Sequence, residues 1–290
     1  MNDSKTIESG VIFQGDNNQI LCLAGRTLIV KLAAVPKNRE FIVTAPLTIE
    51  SCSGEGKLTV TGGPINVYEP LTLTENVTVS GDIEVKTYSP QTGSLTVGAG
   101  STVKGTITVE SGCTADIYGT VKGTITVEEG GTLNLYDGAE VSSRMVTSGV
   151  CTINGGTVKG ITVNGGECTI IGGTIQDTYD ESGVSVNGGV CTITGGTIQN
   201  NKNENGNGGG VYVAGGTCTI SGGSITSNTA KNGGGVYVAG GATCWLRERS
   251  VVLNNNATGN GGGIYAGEGV RINMSAGTLR YNTASNAHVR

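Results

Sequence analysis

Eight cysteines, one histidine and a few clustered carboxylates are the residues of this 290-residue chain whose chemistry could be diagnostic. Each role that cysteine can play demands a spacing. No CxxC and no Cys/His spacing suited to zinc occurs, and the single His288 stands near the end of the sequence. Five of the cysteines instead open one recurring phrase, with Cys151, Cys168, Cys191 and Cys218 beginning CTI and Cys244 beginning CWL. If the Ile or Leu of that phrase points inward, so does the cysteine two residues before it. Thr152, Thr169, Thr192, Thr219 and Trp245 then point out. Packing alone explains such a column, because inward cysteine behaves as a small hydrophobe, and free buried thiols are the expectation. Vertical disulfides stay open as an alternative, since neighbouring parallel strands hold equivalent Cα atoms about 4.8 Å apart.

Acid–base catalysis on sugars would need two carboxylates on one face, or clustered Asp holding calcium beside a Lys or Arg base. The sequence has no Asp-Asp and no Gly-His-Gly, and its GNGGG lacks the Lys-Ser/Thr that a phosphate-binding loop requires. No catalytic residue and no cofactor is therefore expected. Asp177, Asp180 and Glu181, in QDTYDESG, have oxygens that suit calcium. Their spacing matches neither an EF-hand nor a nonapeptide calcium repeat, so a solvated acidic loop is the plainer reading. Trp245 followed by Arg247 and Arg249 is the best single candidate for contact with a partner, because Trp and Arg anchor interfaces. It would equally serve to cover an apolar patch at a widened corner. Thr162, Ser185, Tyr212, Tyr237 and Tyr265 form an outward column whose three tyrosines could receive sugar rings or a partner chain. Stacking on one another would stabilise the sheet without any ligand. The outward T-x-T pairs Thr106–Thr108 and Thr124–Thr126 look like the faces of some ice-binding proteins, although β-branched threonine suits exposed strands regardless.

Elements that place these residues follow from the repeats. GGGVY occupies 208–212 and 233–237 and GGGIY occupies 261–265, giving intervals of 25 and 28 residues. Within an interval, short runs alternate with period 2 between glycine pairs, which reads as strands and tight turns. Upstream, VKGTITVE at 103–110 returns at 121–128, an interval of 18. Three short strands per repeat cannot form a sheet alone, but they can stack on their copies so that each pairs in parallel with its equivalent. The expected fold is all-β, a single-stranded parallel β-helix with three short strands per coil and a right-handed crossover. Corners account for 51 glycines, since glycine reaches positive φ at little steric cost. A second column, Ile198, Ile225, Leu253 and Leu279, is followed three residues later by Asn201, Asn228, Asn256 and Asn282, which are expected to stack as an amide ladder. From Cys151 the cysteine intervals are 17, 23, 27 and 26 residues, and the growth falls mainly at one corner, predicting a single variable edge.

The hydrophobic-x-x-Asn element coupled to Gly-Gly-small-aliphatic, over about residues 195–285, resembles the repeats of polymorphic outer-membrane proteins and related β-helical surface adhesins. The resemblance implies a surface-exposed, adhesive stalk and transfers no catalytic residue.

Aromatic residues make up 4% and charged residues 14%, so the core must be built from Val, Ile, Leu, Ala and Cys. A net charge of −5 without a basic stripe argues against nucleic acid, because phosphate neutralisation needs clustered Lys or Arg. No apolar run of membrane-spanning length occurs. Residues 1–50, poorer in glycine, are expected to form an N-terminal cap and first coil with room for a short helix over Ile20–Leu32. Residues 51–290 are expected to continue as one domain, with short coils to about 150 and longer coils after. The opening MNDSKTIESG carries no secretory leader, so the expectation is an exported chain whose leader precedes Met1, with a cytoplasmic protein as the alternative. The last segment stops inside a coil, as a portion of a longer repeat protein would. Expected function is a non-catalytic cell-surface stalk or adhesin segment presenting a binding face to glycans or surface proteins. A polysaccharide lyase or glycoside hydrolase of the pectin-lyase-like fold is the alternative.

Overall fold

The computed structural model describes residues 5–7, 11–14, 18–24, 26–31, 40–247, 249–268, 270, 272–274 and 277–286. Its regular elements are all β-strands, mostly three or four residues long. Two compact units, Met1–Ser143 and Arg144–Arg290, divide the chain. Each is a parallel β-helix in which successive strands of a coil go to three different sheets and pair in parallel with their counterparts one coil away. Period-2 alternation drives this arrangement, because every second side chain enters the core and its neighbour faces out.

In the first unit the chain enters the sheets early. Gln19–Cys22 pairs with Leu47–Glu50, and Thr27–Lys31 pairs with Gly56–Thr61, so strands occupy the span where a short helix over Ile20–Leu32 is expected from the sequence. The alternation of Leu21, Leu23, Leu28 and Val30 prevails there over the mixed polar composition, because it matches the sheets these strands join. Part of the expected cap, including residues 32–39, lies outside the described residues. Cys22 and Cys52 form a disulfide, with Cα atoms 5.8 Å apart. The repeated VKGTITVE phrases sit directly over one another, Ile107 on Ile125 and Val109 on Val127, with these side chains buried.

In the second unit the cysteine column is in register, Cys151 beside Cys168, then Cys191, Cys218 and Cys244, all buried. Thr152, Thr169, Thr192, Thr219 and Trp245 share the outward column of the same strands. The long corner is ordered into a fourth sheet. Lys202–Asn207, Thr229–Asn232, Asn256–Asn260 and Thr283–Asn286 pair in parallel there, so the expected variable edge is a strand ladder of its own.

One column differs from the sequence reading by a residue. Ile225 pairs with Val252, and Val252 with Leu279, so Leu253 faces outward. The amide ladder accordingly runs Asn201, Asn228, Asn255, Asn282, and Asn256 is instead the exposed first residue of a fourth-sheet strand. The Nδ2 of Asn201, Asn228 and Asn255 each donates to the next Oδ1 at 2.9–3.0 Å, and all four Nδ2 groups donate to a backbone carbonyl, Ile175, Ile198, Ile225 and Val252 in turn. At the start of the ladder, the Asn201 Oδ1 accepts from the Thr178 backbone N–H and hydroxyl.

Candidate functional site

The tyrosine column is assembled by the glycine triplets. Tyr212, Tyr237 and Tyr265 lie in register on one sheet, with ring centroids 5.5 Å and 5.0 Å apart. Each is half-buried. Gly233 has φ +63° and lies where a Cβ would come within 2.8 Å of the Tyr237 Cβ. Gly234 follows, and a Cβ there would meet two backbone carbonyls at 2.3 Å and 2.5 Å. The triplet is thus what allows the fourth-sheet strand to close against the tyrosine sheet. Burial and the flanking tyrosines raise the Tyr237 pKa above the ordinary phenol value.

Trp245 lies on a different sheet from the tyrosines, so the two candidate contact surfaces are separate faces of the second unit. The residue is 37% exposed, and the Arg247 guanidinium stands 5.9 Å from the ring centroid. Arg249 is exposed in the turn that follows, and Glu248 lies outside the described residues. The Ser250 backbone N–H and hydroxyl both donate to the Arg247 carbonyl, which fixes the turn that replaces a glycine corner here.

The three carboxylates of the acidic loop are not gathered into a metal-holding group. Asp177 and Asp180 both have φ +60°, the left-handed turn conformation that aspartate tolerates, and Glu181 pairs with Arg144 at 3.0 Å. Among the described residues, no group of three or more His, Cys, Asp or Glu side chains is arranged to hold a metal ion. His288 lies outside the described residues. Arg144 is the organising cation, and the sequence offered no sign of it. Its guanidinium lies along the outward column, donating to Thr162 Oγ1 at 2.6 Å, Ser185 Oγ at 2.9 Å and the Ser182 carbonyl at 2.9 Å. Burial lowers its pKa, and Glu181 opposes that shift.

Cys151, Cys168, Cys191, Cys218 and Cys244 are free thiols. Hydrogen bonding from neighbouring sulfurs, together with burial, raises Cys151, Cys191 and Cys244 above the ordinary thiol value. Cys168 and Cys218, each between two sulfurs, are pulled the other way by those hydrogen bonds, and burial opposes the pull. In an apolar column nothing replaces the hydration that a thiolate loses, so the direction that holds for the column is upward.

The first unit holds a pocket of about 420 Å³ at a corner between two sheets, lined in part by Thr61, Pro64, Ser80, Asp82, Glu84 and Lys104. Asp82 and Glu84 flank the buried Ile83, so both face out. Both carboxylates are engaged: Asp82 Oδ1 accepts the Thr106 backbone N–H at 2.8 Å, and Glu84 pairs with Lys86 at 2.5 Å. One coil on, burial raises the Glu110 carboxyl while Lys86 opposes it. No helix among the described residues is long and apolar enough to cross a membrane. Comparison with protein-family models, with curated proteins and with solved structures found no match.

Proposed function

We propose that this chain is a non-catalytic binding segment of an extracellular or cell-surface protein, a β-helical stalk that presents aromatic faces to glycans or to surface proteins. The observation that carries the reading is the outward column Tyr212, Tyr237 and Tyr265, three half-exposed rings held in register on a rigid parallel sheet. Aromatic surfaces bind with little loss of side-chain entropy, and the exposed edges of the column together with the open faces of its end rings suit the C–H groups of sugars. Trp245 with Arg247 offers a second anchor on another face.

A glycan array probed with the whole chain, alongside Tyr237→Ala and Trp245→Ala, tests this. Binding that weakens in either variant is expected. A chain that captures neither glycans nor cell surfaces would defeat the proposal.

Hydrolysis or elimination of a polysaccharide is the second reading, favoured by the pocket that contains Asp82 and Glu84. Asp82 and Glu84 are two residues apart in extended chain, about 6.6 Å at Cα, which puts both carboxylates on one face. Their engagement by Thr106 and Lys86 weighs toward a structural role. A reducing-sugar assay on the same sample separates the readings: release of ends that Glu84→Gln abolishes would establish catalysis.

A further inference from the structure

In the first unit, one outward face carries an incomplete tyrosine column. Tyr118 and Tyr136 stack face to face, with centroids 4.3 Å apart and planes within 5°. Their backbone N–H groups donate to Val97 and Ile117, which places them on successive coils directly after the paired strands Ser94–Val97, Thr114–Ile117 and Thr132–Leu135. The equivalent position one coil earlier is Gly98. That residue contributes no side chain, and a Cβ there would stand 2.5 Å from the Leu73 carbonyl oxygen. Tyr136 therefore covers one face of the Tyr118 ring, while position 98 leaves the other face uncovered. Tyr118 is 37% exposed.

Two residues before Tyr118, on the same outward face, stands a fixed carboxylate. Asp116 Oδ1 accepts from Asn134 Nδ2 at 2.9 Å and from the Tyr136 hydroxyl at 3.4 Å, both on the following coil. Those bonds hold the carboxylate in place and leave Oδ2 without a protein partner among the described residues. Thr96 pairs with Asp116 across the sheet, one coil earlier on the same outward face. The vacancy is one rung deep. From the Thr74 position, two coils before Tyr118, the span is about 9.6 Å, which accommodates one ring of van der Waals thickness.

We propose that this notch is a binding site for one neutral hexopyranose residue of a glycan, stacked on the open face of Tyr118 and hydrogen-bonded through its hydroxyls to Asp116 and Thr96. A pyranose has an apolar C–H face for the ring and vicinal hydroxyls that donate in pairs to a carboxylate. The same carboxylate disfavours uronates and sialylated sugars, because like charges at contact repel. The proposal takes its ligand class from the reading of the chain as glycan-facing, but its site is distinct from Trp245 and from the column at Tyr212, Tyr237 and Tyr265.

Calorimetric titration with methyl hexopyranosides of glucose, galactose and mannose, their trisaccharides, and a glucuronate oligomer tests the site. It uses the whole chain and the variants Tyr118→Ala, Tyr118→Phe, Asp116→Asn and Trp245→Ala, each checked for native circular dichroism. At least one neutral sugar is expected to bind the unmodified chain and Tyr118→Phe alike. Tyr118→Ala and Asp116→Asn are each expected to weaken binding about tenfold, at the upper end for a lost aromatic stack. Neutral-sugar binding that is undiminished in either of these two variants overturns the site, as does a preference for glucuronate. Loss of binding in Trp245→Ala with full binding in Tyr118→Ala overturns the notch and leaves the wider reading standing. Failure of every sugar to bind takes down both.

Discussion

Replacing Asn255 by alanine is expected to destabilise the second unit severely, whereas the same change at Asn256 is expected to matter little. The Asn255 Oδ1 accepts from the Asn228 backbone N–H at 2.9 Å and from Asn228 Nδ2 at 3.0 Å, while its own Nδ2 donates to Asn282 Oδ1 at 3.0 Å and to the Ile225 carbonyl at 2.9 Å. At about 1 kcal/mol net for each of these bonds, truncation costs about 4 kcal/mol, with an additional penalty for the buried N–H of Asn228 left unpaired. Water cannot compensate, because Asn255 and Asn228 are both 0% exposed. Asn256 is exposed and accepts one bond, from Thr283 Oγ1 at 2.7 Å, so its loss costs at most about 1 kcal/mol. Urea unfolding followed by far-UV circular dichroism and by the fluorescence of Trp245, the sole tryptophan, measures the difference. Coils of a solenoid can open separately, so hydrogen exchange at the Asn228 amide gives a local readout as well. Equal costs for the two variants, or a cost below about 1 kcal/mol for Asn255→Ala, would refute the ladder.

Further expectations follow from particular contacts. Gly209→Ala would drive a Cβ to 2.5 Å from the Gly234 carbonyl oxygen and 2.6 Å from that of Thr229, and should lower stability by about 3 kcal/mol. By contrast, Gly240→Ala, whose Cβ meets only the Glu268 carbonyl at 3.3 Å, should stay within about 0.5 kcal/mol in the same denaturation assay. The column thiols should resist a thiol-specific reagent in the native state and react on unfolding. Raised thiol pKa values mean that their contribution is fully present below the ordinary value of 9.0 and is lost as pH rises beyond it. Thermal midpoints should therefore fall above about pH 9, and Cys191→Ala should lessen that fall. Arg144→Ala should cost about 3 kcal/mol by removing the donors that tie Ser182 to Thr162 and Ser185, whereas Glu181→Gln should cost under about 1 kcal/mol because the Glu181 side chain is 59% exposed. Comparing the two unfolding midpoints checks this, and the reverse order would count against the arginine clamp.

Much of the architecture is legible before any coordinates. The phrase C-T-I and the motif GGG-aliphatic-Tyr state which residues face in, because a strand between tight turns has only two faces. Corners proved harder to read. The run VVLNNN admits two registers, and choosing Leu253 over Val252 as the inward residue moves the ladder from Asn255 to Asn256. Nothing local separates these choices. QNNKNENGN reads as a polar loop because its residues lack strand propensity, yet Lys202–Asn207 forms a strand once Thr229–Asn232 lies beside it. The Tyr118 notch carried a faint signal, since Tyr118 and Tyr136 are separated by the 18 residues of the VKGTITVE repeat.

By itself, then, the sequence determined the coil: its repeat, its inward aliphatic and thiol residues, and its glycine corners. All of these are set by dihedral preference and by alternation along a few neighbouring residues. Tertiary structure alone decided the register of the asparagine ladder, the fourth sheet, the reach of Arg144 to Ser182 and the gap beside Tyr118. Each of these depends on hydrogen bonds and contacts between residues roughly a coil or more apart, and the energy that selects one lateral match over its one-residue slip exists only when the coils are stacked.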